Sequence, residues 1–128
     1  MKRILIADDE PYVVRVLKLS LERAGYQVEW ASNGKLALES LLAAPPDVLI
    51  TDIQMPVMTG KELCARIQAE LPQREFLIFV VTSRTEVEHR AWSAQMSNLM
   101  FLEKPVSMRN LVAKLDAYFA RSASTASN

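Results

Sequence analysis

Cysteine is almost absent from these 128 residues: Cys64 stands alone. A disulfide framework and a multi-cysteine zinc site are thereby excluded. Leu63, Ile67 and Leu71 share a helical apolar stripe with Cys64, so it reads as core, with a reactive thiol as the alternative. Histidine is equally scarce. His89 lies in the polar stretch Glu86-Val87-Glu88-His89-Arg90 and reads as exposed surface rather than as a phosphohistidine or metal ligand. No excess of either charge exists, since 15 Lys and Arg balance 15 Asp and Glu. No global field therefore draws the chain to nucleic acid or to an anionic membrane. Long apolar runs are missing as well. The longest, Phe76 to Val81, is far short of the roughly 20 residues that span a bilayer. A first strand starting at Lys2 or Arg3 leaves no room for a signal peptide. The expectation is a soluble, cytoplasmic protein.

What is present is a strongly apolar chain, 50% by residue, which excludes wholesale disorder and suffices for one domain with a real core. Five strand-like runs occupy 3–7, 27–31, 47–51, 76–81 and 99–102, with helical segments after each. The first helix starts at Pro11, carries Val13, Val14, Leu17, Leu21 and Ala24 at helical spacing, and ends at Gly25. The second follows Ser32-Asn33, turns Leu38, Leu41 and Leu42 inward, and stops before Pro45-Pro46. Helices three and four open on capping boxes, Thr59-x-x-Glu62 and Thr85-x-x-Glu88. In helix four Val87, Ala91 and Ala94 define the inward stripe, leaving Trp92 either packed on a neighbouring helix or exposed as a binding anchor. Helix five is capped by Ser107 and shows the clearest stripe: Met108, Leu111, Val112, Leu115, Tyr118 and Phe119. Such alternation predicts an α/β fold with a five-stranded parallel sheet, helices on both faces and right-handed crossovers. Residues 1–120 form that domain. The Ser-, Ala- and Thr-rich stretch 121–128 reads as a disordered tail or the start of a linker.

The strand ends carry the chemistry. Strand one stops at Asp8-Asp9, strand three at Asp52, strand four at Thr82-Ser83 and strand five at Lys104-Pro105, while strand two offers nothing of the kind. In open α/β sheets, ligands bind beyond the carboxyl ends of the strands. Two carboxylates about 4 Å apart repel by about 4 kcal/mol at an effective dielectric near 20, so three of them are a poor way to stabilise a fold. The cluster implies a cation, or chemistry at a carboxylate, or both. Hard oxygen donors without His or Cys suit Mg²⁺. An aspartate can act as nucleophile toward phosphorus, with a lysine and a hydroxyl each taking an oxygen of the transferred group.

The chain resembles the receiver domain of bacterial response regulators. The matching stretches, in family order, begin with Ile4-Leu5-Ile6-Ala7-Asp8-Asp9-Glu10-Pro11, Gly25-Tyr26 and Ala31-x-Asn33-Gly34. They continue with Pro46-Asp47-Val48-Leu49-Ile50-Thr51-Asp52-Ile53-Gln54-Met55-Pro56-Val57-Met58-Thr59-Gly60, Thr82-Ser83 and Phe101-Leu102-Glu103-Lys104-Pro105. The resemblance implies the flavodoxin-like (βα)5 fold with strand order 2-1-3-4-5. It implies Asp52 as phosphoacceptor and Mg²⁺ as cofactor, bound by Asp9 directly, Asp8 mainly through water, Asp52, and the backbone carbonyl of Gln54. Lys104 would bind the phosphoryl group, Thr82 would turn inward to it, and Phe101 would follow as an aromatic switch. Pro105 matches a position that is typically cis. Implied partners are a histidine kinase or a histidine phosphotransfer protein upstream and an output protein or domain downstream. The switching surface would be helix four, strand five and helix five, which is also the place for a dimer contact.

Five positions depart from the pattern or admit a plainer reading. Gln54 stands where the family tunes phosphoryl lifetime, and Thr59 replaces the usual Asp or Asn before Gly60. Ser97-Asn98 stands where Gly-Ala is usual, and Asn tolerates the left-handed conformation that a tight turn there requires. Phe101 has no hydroxyl, so it switches through packing alone or is simply core. Other functions fit the residues less well. An aspartate-nucleophile phosphatase needs an acid two residues after its nucleophile, where this chain has Gln54. A flavin-binding flavodoxin relative would not place Asp8-Asp9-Glu10 against a phosphate. A receiver-like module that binds partners without phosphorylation stays open.

Overall fold

The computed structural model describes residues 1–83 and 89–126. Ten elements alternate along the chain: β1 (Arg3–Ala7), α1 (Pro11–Arg23), β2 (Gln27–Ala31), α2 (Gly34–Ala43), β3 (Val48–Asp52), α3 (Gly60–Glu70), β4 (Leu77–Thr82), α4 (Arg90–Ser93), β5 (Leu99–Glu103) and α5 (Met108–Ala126). The strands form one parallel sheet in the order β2-β1-β3-β4-β5, as expected. All of β3 and β4 is buried, because helices cover both faces of the central strands. The edge strands β2 and β5 are only partly buried, which is why their sequences mix polar with apolar residues.

Successive side chains point to opposite faces, so the sheet separates two cores. Ile4, Ile6, Val48, Ile50, Leu77 and Phe79 pack with Val14, Leu17 and Leu21 of α1 and with Leu111 and Leu115 of α5. On the other face, Leu5, Ala7, Leu49, Ile78 and Val80 pack with Ala37, Leu38 and Leu41 of α2 and with Leu63, Cys64 and Ile67 of α3. Cys64 is fully buried, and burial pushes its thiol up to about 12, as suits a core residue.

Local signals place the helix ends. Pro11 opens α1, and Gly25 follows its end at φ +98°, a conformation that side chains rarely adopt. Asn33 Oδ1 accepts from the Leu36 amide at 2.9 Å at the start of α2. Thr59 and Glu62 form the reciprocal capping box of α3, and Ser107 Oγ accepts from the Asn110 amide at the start of α5. The Thr85–Glu88 box falls outside the described residues. Asn98 adopts φ 51° at the turn into β5, and its Nδ2 donates to the Glu75 carbonyl at 3.1 Å. The Arg74 guanidinium reaches the carbonyls of Phe76, Ser97 and Asn98 and so clasps this turn to the start of β4.

Two expectations are corrected. Leu42 is 47% exposed rather than inward, because the buried stripe of α2 is the narrow one through Ala37, Leu38 and Leu41. Around α4, Ala91 and Ala94 are exposed, while Trp92 and His89, which precedes the helix, take the inward positions; Val87 lies outside the described residues. The large rings win that face because they cover more apolar surface than alanine can.

Candidate functional site

The strand order brings the ends of β1, β3, β4 and β5 side by side, and the expected residues meet there. Asp8 and Asp52 are buried and Asp9 is exposed. A carboxylate oxygen from each lies within 4.8 Å of the others. Asp52 Oδ1 accepts from the Ile53 amide at 2.8 Å and pairs with Lys104 Nζ at 3.1 Å, so both interactions fall on the same oxygen. The peptide bond between Lys104 and Pro105 is cis, as expected.

The backbone around Asp52 is held from two sides. Thr51 Oγ1 donates to the Asp52 carbonyl at 2.9 Å. Gly60, at the start of α3, comes so close that an added Cβ would lie 2.1 Å from that same carbonyl oxygen. Its amide donates to the Ile53 carbonyl at 2.8 Å. Only glycine lets the helix approach the acid this closely.

Electrostatics single out Asp8. Burial raises its carboxyl, with the Asp52 charge adding to the rise, to about 6 from 3.8; the Glu10 amide and Lys104 pull it partly back. Asp8 Oδ1 accepts from the Glu10 amide at 2.9 Å, ordering the loop into α1. The donor set suits a hard cation, because it is all oxygen and positive charge there would favour the ionised form of Asp8.

Two residues at the site carried no signal in the sequence reading. Trp30 of β2 donates its indole N–H to the Asp8 carbonyl at 2.7 Å, so the second strand does contribute. Its place opposite Ile6 of β1, one step from the strand end, is the only hint that could have pointed there. His89, expected at the surface, is 8% exposed and lies 3.3 Å through Nε2 from Thr82 Oγ1. Its ring stacks on Phe101 with centroids 5.8 Å apart, and Trp92 donates from Nε1 to its Nδ1 at 3.0 Å. Burying the ring satisfies both of its nitrogens, which a surface position would not require. Trp92 thereby packs rather than standing free. A cavity of about 300 Å³ is lined by Asp52, Ile53, Gln54, Thr82, Ser83, His89 and Lys104. Asp52, Thr82 and Lys104 thus line one cavity, Asp8 and Asp9 come within 4.8 Å of Asp52 through their carboxylates, and Phe101 is one ring removed.

Comparison with known proteins agrees with this geometry. Residues 4–116 match the family model of the response regulator receiver domain. The chain is 31% identical over 121 residues to the alkaline phosphatase synthesis transcriptional regulatory protein PhoP of Bacillus subtilis, covering 94% of this chain and 50% of that protein. It is 34% identical over 122 residues to the response regulator MprA of Mycobacterium ulcerans, covering 93% and 50%. The chain therefore spans about half the length of these curated relatives. Among solved structures, the chemotaxis protein CheY4 of Vibrio cholerae superposes with a TM-score of 0.82 at 30% identity, covering 91% of this chain and 98% of that one. The response regulator TrrA of Thermotoga maritima, solved in complex with Mg(2+)-BeF, gives 0.78 at 29% identity, covering 91% and 98%. With its fold, its acidic cluster and this match over most of its length, the chain belongs to the response regulator receiver domain family.

Proposed function

We propose that Asp52 accepts a phosphoryl group from a phosphohistidine on a histidine kinase or histidine phosphotransfer protein. The observation that carries this reading is a buried carboxylate paired with Lys104 at 3.1 Å and set within 4.8 Å of two further acids. The Lys104 and Ile53 contacts hold Oδ1 and leave Oδ2 to meet phosphorus. A P–O bond forms as the P–N bond breaks, and the electron pair of that bond returns to the donor imidazole. Lys104 neutralises an equatorial oxygen and the Thr82 hydroxyl donates to another. Asp8, Asp9, Asp52 and the Gln54 backbone carbonyl would hold Mg²⁺, which supplies charge neutralisation at the phosphoryl oxygens. The domain promotes only its own phosphorylation and dephosphorylation.

Phosphorylation is read out on the surface of α4, β5 and α5 by an output protein or domain, and the same surface offers a dimer contact. No described helix is long and apolar enough to cross a membrane, and we place the domain in the cytoplasm, where its phosphodonors act. Intact-mass measurement with acetyl phosphate and Mg²⁺ tests the assignment. One added phosphate on the native chain and none on Asp52→Asn is expected. Equal labelling of both chains would overturn it, and no labelling of either would favour a receiver that binds partners without phosphorylation.

A further inference from the structure

Thr82, His89 and Trp92 form a hydrogen-bonded chain that leads away from the site, and its hydrogen-bond directions follow from the donors. An indole N–H only donates. It meets His89 Nδ1 at 3.0 Å, so Nδ1 accepts and the ring proton sits on Nε2. Nε2 lies 3.3 Å from Thr82 Oγ1, so the imidazole donates to the hydroxyl oxygen. A second proton on Nδ1 would face the indole N–H and break the chain. The imidazole is also stacked on Phe101, with an interplanar angle of 17°, and Trp92 meets Phe101 edge-on at 6.1 Å.

We propose that His89 is a positioning residue of the phosphorylation switch: its Nε2–H holds the Thr82 hydroxyl in the unphosphorylated state, and its ring passes the loss of that bond to Phe101 and Trp92. The inference rests on the reading of Asp52 as phosphoacceptor and deepens it. Thr82 and His89 line the same cavity as Asp52 and Lys104. A phosphoryl group there draws the Thr82 hydroxyl toward its own oxygens, which takes Oγ1 away from Nε2. A buried N–H without an acceptor is costly, so the imidazole must move as well. Its motion carries the stacked Phe101 and the bonded Trp92 with it. Phe101 lacks a hydroxyl, and among the described residues the imidazole beside it gives it a polar link to the site.

The test uses the 128-residue chain labelled with ¹⁵N, in which His89 is the single histidine, so its ring nitrogens are assigned without ambiguity. In Mg²⁺ alone, long-range ¹H–¹⁵N correlation should show the Nε2-protonated tautomer. Adding beryllofluoride should move the His89 ring and Trp92 indole signals in step with the amides of Ile53 and Lys104. His89→Phe keeps the ring stack but neither hydrogen bond. At saturating mimic, its shifts between Leu99 and Tyr118 should fall by at least half. His89→Gln, which restores a side-chain donor, should recover most of that loss. Should His89→Phe fail to fold, Trp92→Phe serves instead and should release His89 to a mixture of tautomers. An Nδ1-protonated or doubly protonated ring in the free chain would overturn the proposal, as would full-size distant shifts in His89→Phe or an unchanged tautomer in Trp92→Phe. A native chain whose Ile53 and Lys104 amides ignore the mimic would overturn the phosphoacceptor reading itself, a result distinct from any of these.

Discussion

Among single residues, Asp8 pays most visibly for the site. Its carboxyl sits at about 6 in the folded chain against 3.8 as the ordinary value. Between those values the folded chain keeps a proton that the unfolded chain has released, so the stability Asp8 provides is complete below about pH 4 and is lost as pH rises through 6. In chelator, urea unfolding of the native chain should therefore lose about 1–2 kcal/mol relative to Asp8→Asn across that window, once screening by water and salt is allowed for. Parallel curves for the two chains would show that the carboxyl is not held up. Asparagine keeps the oxygen that accepts from the Glu10 amide, so the comparison isolates charge. Gly60 makes the opposite demand, on space. Its Cβ site lies 2.1 Å from the Asp52 carbonyl oxygen, which is backbone and cannot step aside. Gly60→Ala should destabilise the chain by about 2–4 kcal/mol and shift the Asp52 and Ile53 amides, as measured by denaturant unfolding and by ¹⁵N spectra.

At the scale of elements, what could be read from the sequence depended on whether the signal was local. Thr59 and Glu62, Asn33 and Ser107 announce helix starts because a cap is satisfied within three or four residues, and Pro11 does so because its fixed φ suits a first helical position. Asp8, Asp52, Thr82 and Lys104 were legible for a related reason: each ends an apolar run, and parallel strands deliver their ends to one side. The rotation of a helix about its own axis is not local. In α2, Leu41 and Leu42 are both leucines, yet Leu41 is fully buried and Leu42 is 47% exposed. Leu41→Ala should cost about 2–5 kcal/mol in unfolding measurements and Leu42→Ala less than about 1 kcal/mol. Comparable losses would mean that α2 packs on a broader face than described. In α4 the same difficulty hid His89, since nothing near it in sequence reveals that Thr82 and Phe101 converge on its ring. Trp30 was hidden similarly, because its hydrogen bond crosses from β2 to the loop after β1.

For the whole molecule, the parallel sheet and the meeting of acids at one rim were legible because alternating elements with short connections leave few topologies, whereas the strand order came from the family resemblance. A cation that binds only the folded rim must stabilise the whole domain. Mg²⁺ at about 100 times its dissociation constant should add about 2.7 kcal/mol to unfolding, and Asp52→Asn or Asp9→Asn should shrink that increment. Chemical denaturation with and without Mg²⁺ would decide the matter, and an unchanged native curve would speak against a cation site. The sheet itself has a further consequence. Its two faces pack into separate cores, and Trp92 and Phe101 lie against the one shared with α2 and α3, whereas α1 belongs to the other. α5 belongs to that second core as well, through Leu111 and Leu115, and β5 gives Leu102 to it and Phe101 to the first. The edge strand is therefore where the two cores meet, and a movement beside Phe101 would bear on α5 through β5.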